Sequence, residues 1–439
     1  MKKKLFCLLG FIILISSSSA QDTLTLQLQD ALDAAIKNNK EILLATLDQE
    51  SAVANFNQTN AAFLPQVNLS YTAMVTNNPL NAFGFKLQQQ SVSPSDFNPE
   101  LLNNPSATQN YMTKAEWNQP LINLDMIYQR KAAKQQIDVY YYKTVRTKDL
   151  LTFEVQKAYA QLQLSHQATA VLEEALRSAN SILESRENYF EKGLIQKSDV
   201  LLVQVQVASI ESKLAEAKSN VRNASDYIGL LMGVKNGPIY SVERLEKITQ
   251  AENFETQISD ERADFKAMKS ALKGQEIMIN SGKMSYLPKL NAFANYMFND
   301  KTAFGFGSNS HLVGAQFSWN LFNGTVRHYR TAEQKIAHSR LEHQLSYQKD
   351  QSQLELNKTF RQLQDAQFAL QQHETSVNHA AEASRILQNR FHQGLVSTND
   401  LLQSESTLSG QKLLLSEVVF KYNTTLAYLK FLTSISENK

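Results

Sequence analysis

The sequence of 439 residues contains a single cysteine, Cys7, which lies inside an apolar stretch near its start. A mature chain without that stretch has no thiol, which excludes disulfide bonds, thiolate metal ligands and a cysteine nucleophile. The sequence also lacks an excess of either charge, because 44 lysine and arginine residues stand against 42 aspartate and glutamate residues. A protein that binds a polyanion carries a clustered basic surface, so we expect no nucleic acid partner.

Long hydrophobic runs are scarce, and the one that approaches membrane length is at the N-terminus. Three lysines, Lys2 to Lys4, precede an apolar run from Leu5 to Ile15, and small residues follow as far as Ala20. A basic head, a short apolar run and a small-residue end are typical of a secretory signal peptide, which we predict for residues 1–20. The alternative, a transmembrane anchor, needs about 20 apolar residues, more than this run contains.

Motifs of catalysis and cofactor binding are also missing. Phosphate loops, dinucleotide fingerprints and nucleophile elbows do not occur in the sequence. The histidine pairs His338/His343 and His373/His379 are five and six residues apart, so neither pair shares one helical face. We therefore predict that the protein is not an enzyme and that it has no cofactor and no metal site.

Four motifs occur twice in the same order, which indicates an internal duplication. The copies pair Leu64-Pro65 with Leu287-Pro288, Ala82–Phe85 with Ala303–Phe306, Trp117-Asn118 with Trp319-Asn320, and Phe190–Leu194 with Phe391–Leu395. We predict a first structural repeat at residues 21–231, an inter-repeat linker at 232–262 and a second structural repeat at 263–439.

Each repeat contains two segments in which apolar and polar residues alternate. Alternation with period two predicts a β-strand with one apolar and one polar face. Each segment has about ten residues, the length of a tilted strand that crosses a membrane, and tyrosine and tryptophan near the ends suit the membrane interface. The predicted strands are residues 66–75, 110–119, 289–298 and 311–320.

Each repeat also contains a pair of very long predicted helices. Residues 124–190 contain neither glycine nor proline, and a helix of that length would span roughly 100 Å. Apolar and small residues recur there in steps of three and four, which is the pattern of a coiled-coil seam. The seam of the first helix is Val155, Ala158, Leu162, Ser165, Thr169, Leu172, Leu176, Ala179 and Leu183, and its partner's runs from Val203 to Leu231.

Four membrane strands cannot form a closed structure alone, because lipid does not tolerate open sheet edges. The smallest outer-membrane barrels have eight strands, so we expect several chains to share one barrel. Two copies give eight strands and three give twelve. The fold class that we predict is mainly α with a small β portion, in which long helical hairpins form an α-barrel and four strands per chain contribute to a transmembrane β-barrel.

The duplicated motifs resemble those of the outer membrane efflux protein family, the TolC-like channels. The resemblance covers essentially the whole mature chain, and it includes Leu28–Leu32 with Asn38-Asn39, both Leu-Pro pairs, both Phe-x-x-Gly-Leu turns and Arg262–Phe265. It implies a homotrimer with a twelve-stranded β-barrel in the outer membrane and an α-helical barrel that reaches into the periplasm.

The resemblance also implies the function. Such a protein is the outer-membrane channel, or exit duct, of a tripartite efflux or type I secretion system. It acts as a passive conduit and works with a periplasmic adaptor protein and an inner-membrane transporter. The alternative is a periplasmic coiled-coil structural or scaffolding protein, which explains the helices but not the four alternating segments.

The candidate functional residues lie at the two hairpin turns. Glycine tolerates the positive φ that a helical reversal requires, and the resemblance implies that the turns contact the adaptor through Gly193, Leu194, Gly394 and Leu395. By position, Asp400 and Gln403 would belong to the periplasmic aperture, where Asp400 would form an acidic ring with its copies. Asp199 is also assigned to the aperture, as a tip contact of the first hairpin and not as a member of the ring. Two family positions that hold the closed state are Phe391 and Val396 here.

A structural alternative exists for both aspartates. Ser198-Asp199 and Asn399-Asp400 could instead cap the returning helices. The segments 76–109 and 299–310 are predicted to be loops that face the outside of the cell, and the first contains four prolines.

Overall fold

The computed structural model describes residues 23–235, 237–249 and 255–435. The predicted signal peptide therefore lies outside the described residues. The first half of the chain contains β1 (Thr23–Thr25), α1 (Leu28–Asn38), α2 (Lys40–Gln58), β2 (Gln66–Thr76), α3 (Pro79–Gln88), α4 (Pro99–Asn103), β3 (Thr108–Ile122), α5 (Leu124–Glu191) and α6 (Lys197–Leu231).

The second half of the chain follows the same order with fewer short helices. It contains β4 (Ile239–Ser241), α7 (Ala263–Met284), β5 (Lys289–Asp300), β6 (Ser308–Ser318), α8 (Val326–His392) and α9 (Thr398–Thr433). The mainly helical fold class with a small sheet portion is confirmed. The stretch predicted as a linker contains β4, which pairs in parallel with β1.

The chain forms two compact units. Among the described residues, one unit contains 23–43, Thr147–Ile258 and Gln353–Ser434, and the other contains Leu44–Arg146, Ser259–Ser352 and Ile435. We call the first the helical unit, because it consists mainly of segments of the long helices α5, α6, α8 and α9. We call the second the sheet unit, because it holds β2, β3, β5 and β6.

The seams predicted for the first hairpin form the core of the helical unit. Val155 and Leu162 of α5 and Val203 and Ile228 of α6 are fully buried, as steps of three and four on facing helices require. At one end of this core Ile182 is buried, and the predicted Leu183 is half-buried and packs against the same cluster. Among the described residues, no helix is long and apolar enough to cross a membrane.

The sheet unit is built on one antiparallel sheet in the order β2-β3-β5-β6. Val67 lies opposite Trp117, Trp117 opposite Ala294, and Ala294 opposite Val313. Residues that lie directly opposite share a face, and successive residues alternate between faces. The apolar face therefore presents Val67, Leu69, Tyr71, Tyr111, Trp117, Ala294, Tyr296, Phe298, Val313 and Phe317, and the polar face presents Asn68, Ser70, Asn110, Lys114, Glu116, Asn118, Asn291, Asn295, Asn299, Ser308 and Gln316.

The N-terminal end of α7 is fixed inside the sheet unit by an ion pair between Arg262 and Asp264. Arg262 precedes α7, and its Nε and Nη2 donate to the two carboxylate oxygens of Asp264 at 2.7 Å each. The guanidinium also lies 4.3 Å from the ring centroid of Phe265 and donates to Ser352 Oγ. Burial alone would raise the pKa of Asp264, but the bonds and charge of Arg262 outweigh burial and lower it.

Candidate functional site

The two hairpin turns of the helical unit have the same backbone structure. Gly193 and Gly394 have φ values of +69° and +75°. Leu194 N donates to Tyr189 O at 2.9 Å, and Leu395 N donates to Arg390 O at 3.0 Å. These bonds define the Schellman motif that ends a helix at a left-handed residue, and they confirm the positive φ predicted for both glycines.

Each turn presents one leucine to its surroundings. Leu194 is 64% exposed and Leu395 is 71% exposed. A Cβ atom added to either glycine would meet nothing within 4 Å, so the backbone conformation alone requires glycine there. Both turns therefore present an apolar side chain at matching positions.

The structure places Asp400 in the cap of α9. Ser397 is the N-cap residue, and its Oγ accepts from Asp400 N at 3.2 Å and donates to Asp400 Oδ2 at 2.6 Å. This is a capping box, so Asp400 does cap, but the prediction that Asn399 caps with it is wrong. Asp400 and Gln403 are both exposed, which leaves the second carboxylate oxygen of Asp400 free to face the surroundings.

The first hairpin differs at the equivalent position. The N-cap of α6 is Gln196, without a side-chain hydrogen bond to the helix, and not the predicted Ser198. Asp199 lies in the first turn of α6 and is half-buried, where a carboxylate interacts favourably with the helix dipole. The two aspartates at matching sequence positions therefore have different surroundings.

The four long helices meet just inside the turns. Ile182 of α5, Val203 of α6, Phe391 of α8 and Leu401 of α9 belong to one buried cluster. The guanidinium of Arg186 lies 4.1 Å from the ring centroid of Phe391, a cation–π contact. Burial lowers the pKa of the Arg186 guanidinium, whereas the charges of Tyr189 and Asp199 raise it. Arginine remains protonated despite such a shift.

Two more polar contacts join α5 to the second hairpin. Lys412 Nζ of α9 lies 2.9 Å from Glu174 Oε2. Ser178 Oγ donates to Glu405 Oε2 at 2.9 Å, and the buried Ser384 Oγ of α8 donates to Glu405 Oε1. We call these contacts, together with that of Arg186 on Phe391, the cross-hairpin contacts.

The α5 residues of the cross-hairpin contacts follow one ridge of the helix. Glu174, Ser178 and Arg186 are spaced by multiples of four, with Ile182 between them, and residues four apart lie one above the other. Sequence reasoning missed this ridge and missed Glu405, because the search followed apolar seams. The signal that could have found it is a line of polar residues in steps of four beside a seam.

A family model for the outer membrane efflux protein matches residues 31–234 and 256–434. The chain belongs to the outer membrane efflux protein family. As a member of this family it is an outer-membrane efflux channel, a passive conduit and not an enzyme. Membership in this family contradicts the alternative prediction of a periplasmic coiled-coil scaffolding protein. No match was found among curated proteins.

Several solved channels have the same fold as this efflux protein. The channel CusC superposes with a TM-score of 0.78 at 15% identity, over 94% of both chains. The outer membrane channel CmeC of Campylobacter jejuni gives 0.78 at 17% identity, over 92% of this chain and 85% of its own. The open state of the Neisseria gonorrhoeae channel MtrE gives 0.74 at 14% identity, over 92% and 88%.

Proposed function

We propose that three copies of this chain form one exit duct, in which their sheets close into a twelve-stranded barrel. The observation that carries the proposal is the sheet itself. Its outer strands, β2 and β6, each have one edge without a partner strand in the described part of the chain. Because an open edge is not tolerated in lipid, strands of other copies must pair with these edges.

The two faces of the sheet suit lipid on one side and water on the other. On the apolar face, Tyr71 stacks on Phe304 with ring centroids 5.0 Å apart, and Phe298 contacts Phe306 at 5.2 Å. At the other end, Trp319 Nε1 donates to Tyr286 O at 3.0 Å. Aromatic residues at both ends of an apolar band are the girdles of an outer-membrane barrel.

The polar face supports a lumen without a strong preference for charge. It borders a concave space of about 830 Å³ that is lined mainly by amides, with Gln66, Asn118, Asn291, Asn295 and Gln316 among them. Its charged residues are paired, Lys114 with Glu116 and Lys289 with Asp125. Paired charges present little net field to a passing ion.

The hairpin turns are the proposed entrance of the duct. The exposed Leu194 and Leu395, presented by Gly193 and Gly394, form the contact surface for a periplasmic adaptor protein that links the duct to an inner-membrane transporter. Three copies of Asp400 and Gln403 line the aperture, where the carboxylates repel one another and attract cations. Asp199 supports the contact surface from the first hairpin, and the cross-hairpin contacts hold the entrance narrow.

Conductance across a planar lipid bilayer tests the proposed duct. Purified protein is expected to insert as long-lived channels that prefer cations, because the charges of the polar sheet face are paired and the Asp400 carboxylates at the aperture are not. Since Asp400 is exposed, micromolar to millimolar trivalent cations added on the periplasmic side should reduce the current, and Asp400→Asn should relieve that block. Absence of any channel activity from correctly inserted protein would contradict the proposal.

A further inference from the structure

The segment that joins β2 to β3 is folded, although it was predicted to be a loop. It contains α3, a helical turn at Pro94–Phe97 and α4. Each of the three begins with a proline directly after Asn78, Ser93 or Asn98. Proline is favoured in the first helical position, and asparagine or serine before it caps the helix. Three of the four prolines, Pro79, Pro94 and Pro99, thus begin helical turns in this segment and do not prevent them.

The C-terminal end of α3 is fastened to the sheet by amide side chains. Gln89 Nε2 donates to Gln109 O at 2.7 Å and to Asn110 Oδ1 at 3.1 Å. Asn110 is 0% exposed and donates in turn to Asn299 Oδ1 of β5 at 2.9 Å. Ser308 Oγ of β6 donates to Gln88 O of α3 and, at 2.9 Å, to Asn299 O. Buried amides that are fully bonded hold one geometry, so α3 is fixed to three strands.

The position of Asn110 defines which face of the sheet α3 covers. Asn110, Asn299 and Ser308 all belong to the polar face by strand register. In contrast, the segment between β5 and β6 folds towards the apolar face, where the Phe304 ring stacks on Tyr71 and Phe304 N donates to Tyr71 Oη at 3.1 Å. The two segments at this end of the sheet therefore lie on opposite faces.

The folded segment is also stiffened internally. Lys86 Nζ of α3 lies 2.5 Å from Asp96 Oδ1, and Phe83 contacts Phe97 edge to face at 5.7 Å. Hydrogen bonds from Lys86 and Ser93 lower the pKa of Asp96 to about 2, so the pair remains charged at neutral pH. Leu80 at the start of α3 is 82% exposed and makes the far end of the helix apolar.

We propose that α3, together with the segment up to α4, forms a fixed brim over the lumen at the outer end of the duct. The brim sets the largest solute that can leave, and it disfavours bulky hydrophilic solutes because it presents Leu80, Leu87, Phe97 and Leu101, all exposed. The inference rests on the proposed function, because the polar face lines a lumen only if several copies close the barrel.

A labelled cysteine tests the position of the brim. The only native cysteine is Cys7, so Cys7→Ala gives a background without thiols. Leu80→Cys and Phe304→Cys form a matched pair, since both side chains are more than three quarters exposed and lie on opposite faces. Modification with a bulky, hydrophilic maleimide is expected to reduce single-channel conductance by about half or more at Leu80→Cys, and to leave it unchanged at Phe304→Cys.

The outcomes separate this inference from the proposed duct. Unchanged conductance of labelled Leu80→Cys would overturn the brim, while the channel itself would still stand. Equal losses at both positions would overturn the assignment of the two segments to opposite faces, and with it the brim. A background protein that forms no channels would overturn the duct.

A shortened segment gives an independent measurement of the same inference. Thr76 lies directly opposite Thr108, so residues 77–107 can be replaced by Asn-Gly, a favoured two-residue hairpin turn. The shortened protein is expected to conduct more and to admit larger neutral polymers than the full chain. An unchanged polymer size limit in this variant would overturn the brim.

Discussion

Replacing Gly394 with valine is expected to abolish export through the proposed duct, measured as resistance to toxic compounds, while the channel still assembles. Gly394 has φ +75°, where a residue other than glycine is strained by about 1–3 kcal/mol and a β-branched residue is a clear outlier. The turn relieves that strain by changing shape, which displaces Leu395. Because about 1.4 kcal/mol of lost docking energy costs a factor of ten in affinity, adaptor docking should fall at least tenfold.

Two further variants separate docking from folding. Gly410→Val places the same side chain in the middle of α9, where a Cβ atom meets nothing within 4 Å and φ is helical, so it should leave resistance intact. Leu395→Asn removes the exposed apolar contact without altering the backbone and should reproduce the loss. The measurement is the growth-inhibiting concentration in a strain that lacks the native channel. Full resistance with Gly394→Val and Leu395→Asn would contradict the assignment of the turns.

Removing the cross-hairpin contacts is expected to open the entrance. The double variant Glu174→Ala with Glu405→Ala breaks the bonds of α5 to Lys412 and, through Ser178, to α9. A hydrogen bond to a charged group is worth about 1.5–3 kcal/mol, and less where it is exposed. Even about 1 kcal/mol per protomer shifts the ratio of narrow to wide entrances roughly fivefold, and three protomers add their effects. Single-channel conductance should therefore rise.

The chain offers a matched control for this experiment. Glu173 pairs with Lys218 at 3.2 Å, and Glu187 accepts from Gln204 at 3.5 Å, and both of these bonds lie within the first hairpin. Glu173→Ala with Glu187→Ala removes the same total charge, in this case from α5 alone, but leaves the hairpins joined, and its conductance should match the unmodified channel. If the two double variants have the same conductance, the removed negative charge, and not the separation of the hairpins, controls the current. That result would contradict the prediction.

The long helices and the strands could be predicted from the sequence, because the spacing of apolar residues shows which side of each element is buried. The strand predicted at 66–75 is found at Gln66–Thr76, and the helix predicted at 124–190 is found at Leu124–Glu191. The fourth strand was predicted at 311–320 and is found at Ser308–Ser318, so the prediction begins three residues late and ends two residues late, because alternation continues to Trp319.

The missed features depend on contacts between residues far apart in the chain. The brim is held by a hydrogen bond between Asn110 and Asn299, which are 189 positions apart in the sequence. A pattern of neighbouring residues cannot predict a bond between such distant positions. Its capped prolines were visible, but proline was interpreted only as a breaker. Glu405 was missed for the same reason, because its partners Ser178 and Ser384 lie on two other helices. The turn glycines could be identified from the sequence, because a positive φ depends on the residue type at that one position.

The mass of the detergent-extracted complex tests the central claim most directly. Light scattering with the detergent contribution subtracted measures the protein mass independently of shape. A shared twelve-stranded barrel predicts a complex of three chains that does not dissociate on dilution, because each sheet edge is paired with a neighbour. A complex of one or two chains in the membrane fraction would contradict the shared barrel and, with it, the duct.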